Sequence, residues 1–362
     1  MPLIVVVGGQ YGGEGKGKIV SYLSVEDNID YVVRCGGPNS GHTVDFKGKR
    51  YALRLLPAGF INTRTRLLLA AGTLINLNVL MQEIELCDVD LSRIGVDFNA
   101  GIITEKDAEY ERRLQLKKRI GSTLSGTGAG VAKRALRNGS FRLAQDIPEL
   151  KPFLTHVSSE VNKALDRNLK VVIEGTQGFG LSLYHSNCYP YTTSRDTTAS
   201  AFLSEVGVSP VRVDSIIMVV RTYPIRVAGN SGPLKNEITW KEVQKLSRYP
   251  FEPKEYTTVT KQIRKVALFD IDLVKKAAMV NKPTQIALNG VDYLDYRNKN
   301  LKNFDALTEE TKKFIQRIEH EINVKVDFVG TGPTNEEIID RRKDLRKRIF
   351  ERELALVSRR LP

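Results

Sequence analysis

Six glycines and two lysines crowd one eleven-residue stretch, Gly8-Gly9-Gln10-Tyr11-Gly12-Gly13-Glu14-Gly15-Lys16-Gly17-Lys18. Glycines let backbone N–H groups converge, lysines add charge, and a helix N-terminus behind them would complete an anion site. Gly12 to Lys18 fits G-x-x-x-x-G-K, but Ile19 stands where a magnesium-holding Ser or Thr would follow, so this is not a standard phosphate loop. The bland alternative is a turn that merely joins strand to helix. A second loop, Gly36-Gly37-Pro38-Asn39-Ser40-Gly41-His42-Thr43, gathers an amide, hydroxyls and an imidazole. His42 suits a general acid, or a donor to a developing oxyanion. It is one of only four histidines in the chain, and a lone histidine can equally be structural.

Both loops leave short apolar runs, and such runs recur. Ile4–Val7, Tyr31–Arg34, Leu67–Ala71, Lys170–Ile173, Ser215–Val220 and Gln285–Leu288 read as strands, several with glycine at their carboxyl ends. That pattern predicts an α/β fold with a central, mostly parallel sheet buried on both faces, the glycine loops converging on one crevice beyond the strand ends. Helices are expected near Leu74–Cys87, Glu105–Arg119, Ser158–Arg167, Trp240–Arg248, Ile271–Asn281 and Thr308–Ile322. With no internal repeat and no long linker, residues 1–362 read as a single large domain with insertions.

Lys and Arg number 55 against 42 Asp and Glu, a net charge of +13, which invites phosphate-bearing partners. Hydrophobic residues at 41% and charged residues at 27% suit a large core and argue against disorder. No apolar run reaches the ~18 residues of a membrane span, so no membrane partner is expected. Met1–Val7 lacks a basic start and runs into Gly8-Gly9, reading as a first strand and not a signal peptide. Three scattered cysteines, Cys35, Cys87 and Cys188, give no disulfide frame or metal site and fit a reducing cytoplasm. The last 22 residues, Arg341–Pro362, hold nine Lys/Arg against three acids. They read as part of a basic amphipathic helix spanning about 336–360, with a solvated face in preference to a nucleic-acid arm, because aromatics are not interleaved with the charges.

Taken together, the loops resemble the adenylosuccinate synthetase family, and the resemblance runs along nearly the whole chain. It rests on Gln10–Lys18, Gly37–Thr43, Gly121-Ser122-Thr123, Val131–Arg134, Glu174–Gly178, Tyr189–Thr193, Glu255–Asp270 and Gly330–Pro333, in that order. Each motif is weak alone, and the ordered set is specific. The chain's length looks more like the compact archaeal and phage forms than the bacterial ones.

The resemblance implies a ligase that phosphorylates O6 of a purine monophosphate with a donor NTP, then displaces the phosphate at C6 with the amine of L-aspartate. It implies that Gly12, Gly13, Glu14, Gly15, Lys16, Gly17 and Lys18, with Gly41, His42 and Thr43, hold the donor phosphates. Lys16, His42 and Gln177 would be catalytic, His42 stabilising O6 or the phosphoryl group as charge shifts. Asn39, Ser122, Thr123, Gln177 and Thr193 would fix the acceptor, with Lys133 or Arg134 reaching its 5′-phosphate from the neighbouring subunit of a homodimer. Thr258, Val259, Thr260 and Arg264 would bind the aspartate carboxylates, a guanidinium fork suiting such a group. Asn289, Asp292, Gly330, Gly332 and Pro333 would surround the donor base. Mg²⁺ would be the cofactor, with the backbone carbonyl of Gly41 and the backbone at Gly13 as candidate ligands.

Two departures bear on the substrate. The ordinary enzyme of the family has an aspartate where this chain has Gly13, and that carboxylate takes the N1 proton of IMP and ligates magnesium. Its loss should cost the ~10²–10⁴-fold that a positioned base contributes. It also removes a charge and a volume beside N1 and C2 of the purine, where an exocyclic 2-amino group would fit. The change resembles a phage branch that acts on dGMP, giving N6-succino-2-amino-2′-deoxyadenylate for diaminopurine DNA. Glu14, His42 or a water on magnesium are candidate replacements for the base. Secondly, Lys261-Gln262 stand where the family has glycine then arginine, and Gln262 would suit a deoxyribose. The donor is expected to be ATP, with GTP open, since Gly290 stands where the family's guanine-reading lysine would be; Asp292 is either a base-reading carboxylate or a plain turn residue. The alternatives are the ordinary IMP enzyme, and a nucleotide-binding protein that has lost catalysis.

Overall fold

Apolar runs closed by one polar residue build the centre of the molecule. The computed structural model describes residues 2–257 and 262–343. The ten strands of its main sheet are β1 (Leu3–Gly8), β2 (Tyr31–Arg34), β3 (Arg66–Leu69), β4 (Ile94–Asp97), β5 (Leu154–Thr155), β6 (Val171–Glu174), β7 (Ser215–Arg221), β8 (Gln285–Asn289), β9 (Val326–Gly330) and β10 (Ile338–Asp340). Their spatial order is β10-β9-β8-β7-β1-β6-β2-β3-β4-β5, and every pairing is parallel except β9 with β10. This is a single α/β domain, as expected.

Alternation along β1 explains why the strand is apolar throughout. Ile4 and Val6 enter one core, with Ile19, Val20 and Leu23 of helix α1 (Lys16–Glu26), while Leu3, Val5 and Val7 enter the other, with Val161, Phe202, Val274 and Ile315. Both faces are covered by helices, so no face can be polar. A small third cluster, Ile225, Trp240, Val243 and Val266, lies under a separate three-stranded sheet, Ile225–Arg226, Lys265–Ala267 and Glu237–Ile238.

All six expected strands form. The helix expected at Leu74–Cys87 begins only at Leu77, because Leu74–Ile75 pairs instead with Gly101–Ile102. The helix expected at Glu105–Arg119 is two, Glu105–Arg113 and Leu116–Ile120, broken where Gln115 adopts φ 53°. The basic helix expected from about residue 336 is corrected at its start: Ile338–Asp340 is the antiparallel edge strand, its three residues buried. Arg341 then pairs with Glu319, Arg342 with Asp27 and Asp340, and Lys343 with Glu26, so the first charges of that segment hold it to the body. The rest of that segment, and Thr258, Val259 and Thr260, lie outside the described residues. No helix among the described residues is long and apolar enough to cross a membrane.

Candidate active site

Two strands on either side of β1 end in a polar residue at the carboxyl edge: Arg34 on β2, Glu174 on β6, Arg221 on β7 and Asn289 on β8. Register sets Arg34 opposite Glu174 and Arg221 opposite Asn289. All four are at most 9% exposed, so each must find partners inside the protein.

The first glycine loop leaves β1 among them. Gly12, Gly13 and Gly15 have φ of 83°, 69° and 93°, a left-handed run that L side chains resist. Gln10 locks its start, accepting from the Arg221 N–H at 3.0 Å and donating to the Arg221 carbonyl at 3.1 Å. Glu14 turns inward: Oε1 accepts from the N–H groups of Gly12 (2.7 Å) and Gln10 (3.2 Å), and Oε2 from Lys16 Nζ (2.7 Å). Lys16 Nζ also donates to the Gln177 carbonyl. Glu14 is therefore spent on the loop itself and is not a free base, which corrects that expectation. Lys18 reaches away from Lys16, donating to the carbonyls of Gly332 (2.6 Å) and Glu337 (2.9 Å), and burial lowers its ammonium to about 8. It braces the Gly332 turn across the cleft.

At Gly13 the expected open volume is partly taken. A Cβ placed there would lie 2.8 Å from Ile225 Cδ1 and 3.5 Å from an Arg264 guanidinium nitrogen. The glycine removes a charge, but a methyl group of the three-stranded sheet has closed on its side of the loop. Arg221 holds the Gly13 carbonyl at 3.1 Å and pairs with Glu255, so the backbone oxygen offered as a magnesium ligand is already engaged by a guanidinium.

His42 opens the hairpin His42–Phe46/Lys49–Leu53 and packs against α1. The close approach needs Gly17, where a Cβ would lie 2.9 Å from His42 Cβ. Nδ1 contacts the Glu174 carboxylate, and Arg34 Nη1 lies 3.0 Å from Nε2. Burial and the Arg34 charge outweigh Glu174 and lower the imidazole to about 4, while the carboxyl of Glu174 is held below its ordinary value despite burial by His42 and Arg34. Burial and Arg34 favour the neutral ring, and the carboxylate at Nδ1 with the guanidinium at Nε2 favours the tautomer protonated on Nδ1. Sequence reading gave no role to Arg34, Glu174 and Arg221, although Glu174 opens one of the motifs that carry the resemblance. Their signal is the lone polar residue ending each buried strand.

Two clefts meet at the first loop. The larger, about 590 Å³, is lined by Gly13–Lys18, Gly41, His42, Thr43, Arg264, Asn289, Asp292, Gly332 and Pro333. The smaller, about 150 Å³, is lined by Tyr11, Asn39, Ser122, Thr123, Gln177 and Thr193. Gly12 lies between, its Cβ position 3.7 Å from Gln177. Gly330 sits beneath the larger cleft, where a Cβ would strike Asn289 Oδ1 and approach Lys18 Nζ at 2.8 Å. Of the expected acceptor residues, Gln262 is not brought in, and Lys133 and Arg134, expected to serve the neighbouring subunit, lie outside both clefts of their own chain. Lys133 pairs with Asp107, Arg134 donates to the Ala71 carbonyl at 2.9 Å, and Gln262 is exposed. None of the three lines either cleft. No cluster of three or more His, Cys, Asp or Glu among the described residues could hold a metal, so a bound Mg²⁺ would have to be held largely by phosphate oxygens and water.

A family model described as adenylosuccinate synthetase matches residues 5–145 and 141–300. The adenylosuccinate synthetase of Pyrococcus horikoshii is 42% identical over 346 residues, covering 94% of this chain and 99% of that protein. That of Methanocaldococcus jannaschii is 44% identical over 345 residues, covering 94% and 97%. Among solved structures, fully ligated adenylosuccinate synthetase from Plasmodium falciparum superposes with a TM-score of 0.83 at 24% identity, covering 94% of this chain and 100% of that one. The cyanophage S-2L succinoaminodeoxyadenylate synthetase, bound to dGMP and to dATP as an energy donor, superposes with a TM-score of 0.79 at 26% identity, covering 94% and 95%.

Proposed function

The chain belongs to the adenylosuccinate synthetase family and is a C–N ligase; from that premise we propose that it joins L-aspartate to C6 of dGMP at the expense of ATP, giving N6-succino-2-amino-2′-deoxyadenylate for diaminopurine DNA. The observation that carries this reading is Gly13, a residue without a carboxylate in a loop that otherwise keeps the family pattern. The four carboxylates that line the larger cleft do not make up the loss. Glu14 is held by loop amides, Asp45 by Arg50, Glu255 by Arg221 and Asp292 by Tyr249. Gly13 and Ile225 line the larger cleft where it borders the smaller one, so an acceptor purine whose N1–C2 edge reached past Gly12 would meet Ile225 and glycine backbone in place of an anion, an environment open to a 2-amino group. The phage neighbour bound to dGMP and dATP supports the same acceptor and an adenine donor.

The donor triphosphate would lie in the larger cleft, its γ-phosphate against Lys16 and the Gly12–Gly17 backbone. A phosphate there would compete with Glu14 for Lys16. The acceptor purine would lie in the smaller cleft against Asn39, Ser122, Thr123, Gln177 and Thr193, with O6 facing Gly12. Mg²⁺, entering with the donor phosphates, would neutralise their charge, with Gly41 as the nearer candidate carbonyl. His42 would have to exchange its contact with Glu174 or Arg34 to reach O6 or the phosphoryl group, and would do so without adding a charge of its own. Arg264 would hold a carboxylate of aspartate beside Gly13, with Thr258, Val259 and Thr260. Lys133 and Arg134 would serve the 5′-phosphate of the other subunit's acceptor in a homodimer.

A second reading, IMP as acceptor, is favoured by the archaeal synthetases at 42–44% identity. Phosphate release by the purified chain with Mg²⁺, L-aspartate and ATP or GTP separates the two. Turnover with dGMP is expected; turnover with IMP alone, or with neither acceptor, would reject the proposal.

A further inference from the structure

The lining of the larger cleft also includes a group built around one buried hydrogen bond. Tyr249, just beyond helix Trp240–Ser247, donates its hydroxyl to Asp292 Oδ2 at 2.8 Å, and the two residues are 7% and 4% exposed. Phe251, Tyr293 and Tyr296 pack their rings 5.3, 5.6 and 4.6 Å from that of Tyr249, and Lys299 Nζ lies 5.7 Å from its centroid. Tyr249, Phe251, Asp292, Lys299 and Pro333 all line the cleft. Aromatic faces, a cation and one carboxylate, in a cleft that is also lined by glycine amides, are what a purine nucleoside triphosphate needs for its base and its phosphates.

Donor and acceptor counting then distinguishes the purines. A 2-amino-6-oxopurine presents two adjacent donors, N1–H and the 2-amino group, and pairs best with both oxygens of one carboxylate. A 6-aminopurine presents a single amino donor beside an N1 acceptor and needs one oxygen. Tyr249 takes one of the two acceptor sites of Oδ2, so Asp292 offers Oδ1 and a single remaining site on Oδ2. We propose that the Tyr249 hydroxyl determines donor-base specificity: by donating to Asp292 Oδ2 it fits this part of the cleft to a 6-aminopurine triphosphate and competes with the bidentate contact a 2-amino-6-oxopurine would make. The inference rests on the placing of the donor in the larger cleft under Proposed function. Tyr249→Phe keeps the ring and its packing while uncapping the carboxylate.

The test is equilibrium titration of ATP and of GTP, each with Mg²⁺, into the full chain, into Tyr249→Phe and into Tyr249→Phe/Asp292→Asn. The wild-type chain should bind ATP more tightly than GTP. Tyr249→Phe should tighten GTP about tenfold or more, as a charge-assisted hydrogen bond would, while ATP changes little. The double variant should lose the gain. A wild-type preference for GTP, an ATP-to-GTP ratio unmoved by Tyr249→Phe, a gain that survives Asp292→Asn, or no triphosphate binding at all would each overturn the proposal. Binding needs no turnover, so the two readings fail separately. A shifted ratio in a protein that consumes neither dGMP nor IMP sinks the proposed reaction alone, and an unmoved ratio in a protein that consumes dGMP sinks the specificity role alone.

Discussion

At residue 13 the discriminating feature is chemical character more than empty space. Its φ of 69° and the 2.8 Å approach of Ile225 Cδ1 mean that any side chain there both strains the backbone and displaces a methyl group. Gly13→Asp is therefore expected to cost about 1 kcal/mol or more in stability from the left-handed backbone alone. It is also expected to lower kcat/KM for dGMP at least tenfold, while IMP use is unchanged or rises. Gly13→Ala carries the same strain without the carboxylate and separates the causes. Equal losses for both acceptors in both variants would assign the effect to loop distortion, and unchanged dGMP kinetics in Gly13→Asp would remove the argument. The glycine, the lysines and His42 were legible because glycine clustering and a lone imidazole are visible in one dimension. The partners that set their states were not. Nothing in the residue types couples Glu14 to the amides of Gln10 and Gly12, or Arg34 to His42, because a left-handed loop makes the first contacts and the packing of the His42 hairpin beside the Arg34–Glu174 pair makes the second.

Elements fix what residues cannot fix alone. Helix α1 and the His42 hairpin are held at contact distance by the missing side chain of Gly17, which lies where α1 begins. Gly17→Ala should force the two apart by a few tenths of an ångström, lower stability by about 1–3 kcal/mol as overpacking does, and raise the KM for the donor. Denaturant midpoints and donor saturation curves check it; a variant with wild-type values for both would show that the contact is slack. The six strands read from sequence are long or strongly apolar. The four that escaped are β4, which contains Gly95, the two-residue β5, and β9 and β10, where Asp327 and the acidic flank of Ile338–Ile339 mask the pattern. The helix Thr127–Leu136 was hidden by its Thr-Gly-Ala-Gly start, a poor helix-forming sequence that Glu111 caps from another helix by accepting from Gly128 N–H at 2.8 Å.

On the scale of the whole molecule, the two clefts meet at the first glycine loop, so with donor and acceptor bound as proposed a phosphoryl group would pass across Gly12–Gly13. That convergence was legible as a rule about strand ends, and the family resemblance supplied the order of the motifs. The division into two clefts was not, because Tyr11 and Gly13 are two residues apart and face different cavities. The account stands on which purine this junction accepts. The most direct measurement is a competition: equal concentrations of dGMP and IMP in one reaction with the full chain, L-aspartate, ATP and Mg²⁺, the products resolved by mass spectrometry at low conversion. Their ratio reads the ratio of kcat/KM values. N6-succino-2-amino-2′-deoxyadenylate in at least tenfold excess is the expected result, and adenylosuccinate as the major product would contradict the account.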